Sequence, residues 1–304
     1  MNNKFSNMET TAKNEPRAFV TLKELTTLWF NTGTQCNLSC HNCYIESSPK
    51  NDRLVYLSKN DMTPFLKEIG PETKLIAFTG GEPFINPNII DLLTLSLETN
   101  RDVLVLTNAY RVLKRHESAL IDLKNQYGPA LHLRISLDHY TKDLHEHERG
   151  LNTFEKTLDQ VKWLFDQGFN ISIAGRSIGN EDKDHSTRMY QELLLAHGID
   201  LALSDEKFVI FPEMMAKENV PEISVHCWDI LNKSPDDQMC ASERMIVKRK
   251  GHDSPVVLPC TLIAYDEKFD LGRTLSKSRR DVFLNHEFCA KFCVLGGASC
   301  SSAK

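Results

Sequence analysis

The stretch Leu28-Trp-Phe-Asn31-Thr-Gly-Thr-Gln-Cys36-Asn-Leu-Ser-Cys40-His-Asn-Cys43 sets a short apolar run directly ahead of three cysteines packed within eight residues. The apolar run reads as a strand. A single loop after it can wrap three thiolates around one face of a 4Fe-4S cubane. One iron then lacks a protein ligand, as catalytic zinc sites keep a position open for chemistry. The same cysteines also suit a zinc knuckle completed by His41 or a distant cysteine, or a group of buried small hydrophobes.

Working outward, short apolar runs alternate with longer amphipathic stretches. The candidate strands are Leu28 to Asn31, Lys74 to Thr79, Asp102 to Thr107, Leu131 to Leu137, Asn170 to Ala174 and Leu201 to Ser204. Helices are expected over Asp61 to Ile69, Asn88 to Thr99 and Thr153 to Gln167, the last stopped by Gly168. Apolar strands separated by helical patterns give a parallel sheet under helices. Six such units point to an α/β fold with a partial (β/α)6 TIM-type barrel, whose active site belongs at the carboxyl ends of the strands. Residues 1–17 are polar and aperiodic and read as a mobile tail, residues 18–225 as the barrel, and residues 226–304 as a small C-terminal unit. That unit opens irregularly and then forms a hairpin from Arg244 to Lys248 and Val256 to Leu258 around Gly251.

Composition excludes several classes. With 41% hydrophobic and 25% charged residues the chain is an ordinary globular one, neither fibrous nor disordered. No apolar run approaches the ~18 residues that span a bilayer, and the N-terminus lacks the apolar centre of an export signal. A cytoplasmic protein without a membrane partner is the expectation. The net charge of -5 gives no basic footprint for nucleic acid, although the residues from Cys240 onward carry 11 basic and 7 acidic side chains. Nine cysteines is an odd number, and without an export signal they read as metal ligands or reactive thiols. After Cys43, 183 residues pass before Cys227, and Cys240, Cys260, Cys289, Cys293 and Cys300 follow, so two metal-bearing regions are expected.

At the end of the second strand stands Phe78-Thr79-Gly80-Gly81-Glu82-Pro83, whose paired glycines allow close backbone approach. CxxxCxxC after the first strand and GGEP after the second together resemble the radical S-adenosylmethionine (SAM) superfamily. The resemblance implies that Cys36, Cys40 and Cys43 bind three irons of a 4Fe-4S cluster whose fourth iron chelates the methionine end of SAM. One electron, from a flavodoxin- or ferredoxin-type donor, then cleaves SAM to methionine and a 5'-deoxyadenosyl radical that abstracts hydrogen from a substrate. It also implies that Gly80, Gly81, Glu82 and Pro83 hold the methionine ammonium. The family usually carries an aromatic residue before the third cysteine. Here that position is Asn42, with Tyr44 following and standing as the candidate adenine contact.

Further strand ends supply candidates for the same pocket. Asn108 follows the third strand, Ser136 and Asp138 close the fourth and share a face, and Arg176 follows the fifth. Ser136 and Asp138 are placed on the ribose hydroxyls and Arg176 on the SAM carboxylate. The run His145-Glu146-His147-Glu148-Arg149-Gly150 lacks helical zinc spacing and reads as a solvated loop.

In the second cysteine region a fold-back brings Cys240 and Cys260 together, Cys289 and Cys293 are helical neighbours, and Gly296-Gly297 turns Cys300 toward them. This order resembles a shortened SPASM or twitch extension. It implies one auxiliary 4Fe-4S cluster held by Cys240, Cys260 and two of Cys289, Cys293 and Cys300, with structural zinc as the competitor. Cys227 reads as a buried small residue. The expected partner is a peptide or small-molecule substrate; an RNA substrate rests only on the basic C-terminal part, and the rival class is a non-catalytic iron-sulfur or zinc redox protein. Only 35 residues precede Cys36, so a peptide substrate is expected to need a separate recognition protein or to bind the barrel directly.

Overall fold

A computed structural model describes residues 4–178, 181–204, 206–211 and 220–296. Its strands are β1 (Phe19–Val20), β2 (Thr27–Asn31), β3 (Leu75–Thr79), β4 (Asp102–Thr107), β5 (Leu131–Ser136), β6 (Asn170–Arg176), β7 (Phe208–Phe211), β8 (Glu243–Val247), β9 (Val256–Leu258) and β10 (Val282–Phe283). The helices are α1 (Lys59–Leu66), α2 (Ile89–Leu97), α3 (Glu117–Tyr127), α4 (Lys142–Arg149), α5 (Phe154–Asp166), α6 (Lys183–Ala196) and α7 (Cys227–Leu231). One open sheet runs β7-β6-β5-β4-β3-β2-β8-β9. Strands β2 to β7 are the six parallel strands of the expected α/β class.

Alternation along each strand builds two apolar layers. Leu28, Phe30, Ile76, Phe78, Val103 and Val105 join the helix-side core with Leu92, Leu93, Val161 and Leu164. Trp29, Ala77, Leu104 and Met245 form the opposite layer, the floor beneath the strand ends. Burial on both faces explains why the centre of β2, Leu28 to Phe30, is an unbroken apolar run.

Three expectations change. The sixth strand is Phe208–Phe211, not Leu201 to Ser204: a turn in which Phe208 N–H donates to Ser204 O (2.8 Å) carries the chain past Leu201 and Leu203 before the Phe-Val-Ile-Phe run pairs with β6. The hairpin arms are β8 and β9, but β8 pairs in parallel with β2, and Trp29 Nε1 donates to Glu243 Oε2 at 2.6 Å. Residues of the expected C-terminal unit therefore extend the barrel sheet. Finally, residues 4–17, read as part of a mobile tail, are tied down. Glu222 accepts from Phe5 N–H and Ala12 N–H and pairs with the buried Arg17 guanidinium at 2.6 Å. A buried guanidinium of this kind needs its partners, and here the partners lie on either side of it in the chain.

Candidate active site

At the carboxyl ends of β2 to β6 lies an open cleft of about 160 Å³. Cys36, Cys40, Cys43, Tyr44, Gly80, Gly81, Asn108, Ser136, Asp138 and Arg176 all line it, so most of the sequence-read candidates converge. Glu82 and Pro83 are not among the lining residues.

The glycines have a steric reason. Gly80 has φ +149°, and a Cβ there would stand 2.5 Å from Gly33 O; a Cβ on Gly81 would stand 2.1 Å from Gln35 O. Only glycine lets this loop lie on the backbone that leads into the cysteines. Gly81 N–H donates to Gly33 O (2.8 Å) and Glu82 N–H to Gln35 O (3.1 Å). The buried Glu82 carboxylate accepts from Asn108 N–H, Phe84 N–H and Thr107 Oγ1, clamping the loop onto the end of β4. Burial pushes its pKa up to about 7 against those bonds. Its position is that of a brace under the cleft.

Asn108 spends its side chain on the cysteine loop: its Nδ2 donates to Asn37 Oδ1 (2.9 Å) and lies 3.6 Å from Cys36 Sγ. Asn42, where an aromatic is usual, donates to both oxygens of the buried Glu148 carboxylate. Tyr44 lines the cleft and also packs against the layer holding Cys260 and Phe292.

The run His145 to Arg149, read as a solvated loop, forms most of α4, with His145 and Glu148 buried. The sequence reading thereby missed Arg149, which faces the cleft. Its signal was a basic residue directly before a glycine that ends a helix, Gly150 at φ +98°. Arg149 forks onto Asp138, with Nε to Oδ2 at 2.8 Å and Nη2 to Oδ1 at 3.1 Å. Burial pushes Asp138 up, yet Arg149 and Arg176 outweigh it and hold the carboxyl below its ordinary value. With both oxygens engaged, Asp138 serves first as the anchor of Arg149.

Arg176 differs. Its Nε reaches no closer than 3.9 Å to Asp138 Oδ1, and Nε and Nη1 are buried without a hydrogen-bond partner. An orphaned guanidinium in a cleft is the donor set for a carboxylate. Three thiols, an unsatisfied guanidinium and a glycine backbone fit an iron-sulfur cluster carrying an amino acid. Burial, with Glu82 next, pushes the Cys36 thiol up to about 12, so metal uptake there must release protons. Among the described residues no three His, Cys, Asp or Glu side chains converge as they would on a single ion. A cubane, taking one thiolate per iron, needs wider spacing.

The second cysteine group closes on a separate pocket. Cys240, Cys260, Cys289 and Cys293 line it together with Met239, Ile263, Val282 and Leu284. Cys289 and Cys293 lie on a π-helical segment, Cys289–Leu295; Cys300 falls outside the described residues. Cys227, read as buried, is half-buried at the start of α7, its Sγ 3.7 Å from Ser224 Oγ. Beside the four thiols, Arg244 is fully buried and donates to the carbonyls of Cys240, Glu243 and Ser278, with no carboxylate partner among the described residues.

Comparison with known proteins bears on this arrangement. The family model of the radical SAM superfamily matches residues 30–192. The antilisterial bacteriocin subtilosin biosynthesis protein AlbA of Bacillus subtilis (strain 168) is 34% identical over 147 residues, 48% of this chain and 32% of that protein. The match thus spans about a third of the relative's length. Streptococcus suis SuiB bound to S-adenosylmethionine superposes with a TM-score of 0.58 at 13% identity, over 90% of this chain and 67% of that one. Native anSMEcpe with bound AdoMet and Cp18Cys peptide gives 0.56 at 16% identity, over 83% and 79%. These two likenesses concern the fold.

Proposed function

The chain belongs to the radical SAM superfamily, and from that premise we propose that it is a peptide-modifying enzyme that draws hydrogen from its substrate in the cleft at the strand ends. The observation that carries the reading is the meeting of Cys36, Cys40, Cys43 and the unsatisfied Arg176 in one cleft. The 4Fe-4S cluster and SAM of the family supply the chemistry, reductive cleavage to a 5'-deoxyadenosyl radical. The chain's own residues do the rest. Cys36, Cys40 and Cys43 hold the cluster; Gly80 and Gly81 present backbone to the methionine ammonium; Arg176 takes its carboxylate. Asp138 holds Arg149 in place beside Cys40, Ser136 is left for the ribose, and Tyr44 for the adenine. Glu82, Pro83 and Asn108 shape and brace the loops that do the holding.

The peptide class is supported by relatives whose names state it: AlbA serves bacteriocin biosynthesis, and SuiB and anSMEcpe have been captured with a precursor peptide and a peptide. Cys240, Cys260, Cys289 and Cys293 would hold one auxiliary 4Fe-4S cluster, because four cysteines line one pocket beside the buried Arg244, whose charge has only carbonyls and no carboxylate for partners among the described residues. The test is anaerobic: protein reconstituted with iron and sulfide, given SAM and dithionite, should release 5'-deoxyadenosine, and a cognate peptide should accelerate it and change mass. Absence of 5'-deoxyadenosine would overturn the assignment, whereas release without mass change in any peptide would confine the failure to the substrate class.

A further inference from the structure

A second surface adjoins the three-cysteine loop from outside the cleft. Tyr110, just past β4, is buried against Cys36, Leu38 and Cys40. Its carbonyl accepts from Asn37 Nδ2 at 2.6 Å and its N–H donates to Asn108 Oδ1 at 2.8 Å. Ala109 and Arg111 flank it at φ 51° and 65°, left-handed values that side-chain-bearing residues seldom take. The tyrosine is thus fixed on the loop. Two cations sit over its ring, the Arg111 guanidinium 4.9 Å and Lys156 Nζ 5.7 Å from the centroid. Lys114 and Arg115 follow, both exposed, and among the described residues none of these four cations is paired with a carboxylate. Within the loop itself Ser39 and His41 are exposed, and Leu151, between α4 and α5, is 80% exposed. Arg111 and Lys156 thus set two unpaired cations on the outer side of the tyrosine that covers Cys36 and Cys40.

We propose that this face is where an acidic one-electron carrier protein docks to reduce the group held by Cys36, Cys40 and Cys43. The proposal rests on the iron-sulfur reading above. Unpaired surface cations steer an anionic partner and set its orientation, and contribute more to its association rate than to tight binding. Redox encounters are characteristically small and weak, so a few cations suffice. Tyr110 is the side chain that separates Arg111 and Lys156 from Cys36 and Cys40, so a carrier held by these cations lies one side chain from the loop. One electron passes from the carrier to the iron-sulfur group; the carrier is oxidised by one electron and no bond forms or breaks.

The experiment uses the reconstituted full chain and two reductants in stopped flow, an acidic flavodoxin in its hydroquinone form and dithionite, which needs no docking. Charge reversal at Arg111→Glu and Lys156→Glu, and the milder Arg111→Gln and Lys156→Gln should the first pair disturb folding, are compared with wild type across salt concentrations. Reduction by flavodoxin is expected to fall about tenfold or more in the reversed protein and severalfold in the neutral one, and to lose its steep salt dependence. Reduction by dithionite should stay within about twofold. Carbodiimide cross-linking of Lys114 to flavodoxin carboxylates should weaken in parallel. An unchanged flavodoxin rate, an equal slowing with dithionite, or a protected footprint over Lys114 and Arg115 by single-stranded RNA but not by flavodoxin would overturn the proposal. Wild-type protein that neither reductant bleaches would overturn the iron-sulfur reading itself, and this one with it.

Discussion

At the strand ends, Cys36, Cys40 and Cys43 look into a cleft that also holds two guanidinium groups, a serine and bare glycine backbone. Beyond β8, Cys240, Cys260, Cys289 and Cys293 close on a narrow pocket walled by Met239, Ile263, Val282 and Leu284. The first site has one thiol too few to saturate a cubane and polar groups that want a ligand; the second has a full set and apolar walls. Each has an arginine beside its thiols, but Arg149 is tied to Asp138 whereas Arg244, fully buried, donates only to carbonyls. An open coordination position is useful only where a second ligand can be oriented, and on the proposed reading this difference in lining assigns the chemistry to the first site. The apolar-walled site would be suited to passing electrons or holding structure, and Tyr44, packed against both regions, joins them.

The largest expected effect removes one side of the comparison. Replacing Cys36, Cys40 and Cys43 together by alanine should abolish 5'-deoxyadenosine formation while the second site keeps its metal. Wild type should carry about eight irons and the variant about four, by iron and sulfide analysis with Mössbauer spectroscopy. Four irons with one zinc in wild type would convert the second site to a structural zinc centre and leave the first intact.

Cys260→Ala sharpens the division of labour. If the second group accepts electrons or anchors substrate, this variant loses those irons and product while SAM is still cleaved without coupling. If the group is only a staple, SAM cleavage and thermal stability fall together. Wild-type product yield would return Cys260 to ordinary packing.

A smaller effect separates the arginines. Arg176→Gln should raise the SAM concentration needed for half-maximal cleavage by about 10- to 100-fold, the worth of charge-assisted hydrogen bonds of about 1.5–3 kcal/mol, with iron content unchanged. Arg244→Met should do the reverse: SAM binding persists, and iron content of the second site drops. A shared phenotype would mean that the sites are not separable as drawn.

Sequence made the first site legible for a physical reason. Its three cysteines lie within eight residues, and its loops follow strands whose apolar runs are unbroken because both faces are buried. What escaped depends on contacts between distant segments. Arg149 became visible only when α4 packed its His145 and Glu148 inward and delivered the guanidinium to Asp138 on the far side of a turn. The polar composition of that helix disguised it as surface. The docked N-terminal segment rests on an Arg17–Glu222 pair 205 residues apart, which no local pattern announces. The attachment of β8 to β2 is equally non-local, and it is why a boundary drawn by rhythm at residue 225 meets a continuous sheet. Among Cys289, Cys293 and Cys300, spacing allowed any two; the described pocket contains Cys289 and Cys293.

The smallest effect tests whether fold stability can be moved without touching either site. His132 on β5 shares Ser172 Oγ with Arg134, its ring nitrogen 2.7 Å from the hydroxyl. Burial, helped by Arg134 and Lys207, pulls its pKa down to about 3 from the ordinary 6.5. Below 6.5 the unfolded chain takes up a proton that the folded chain refuses until about pH 3, so stability is lost as pH falls through that window and is fully present above it. Each such proton is worth up to about 1.4 kcal/mol per pH unit. His145 behaves alike, with a pKa of about 3 set first by burial and then by Arg149, so removing one histidine should reduce the acid slope and not abolish it. His132→Gln keeps a hydrogen-bonding group for Ser172 and cannot titrate. Denaturant midpoints measured from pH 7 to pH 4 should fall less steeply for this variant than for wild type, while iron content and 5'-deoxyadenosine release at pH 7 stay unchanged. An acid limb as steep as wild type would place the titrating group elsewhere, and lost iron would show that the β5–β6 interior supports the cleft more directly than its distance from the cysteines in the chain suggests.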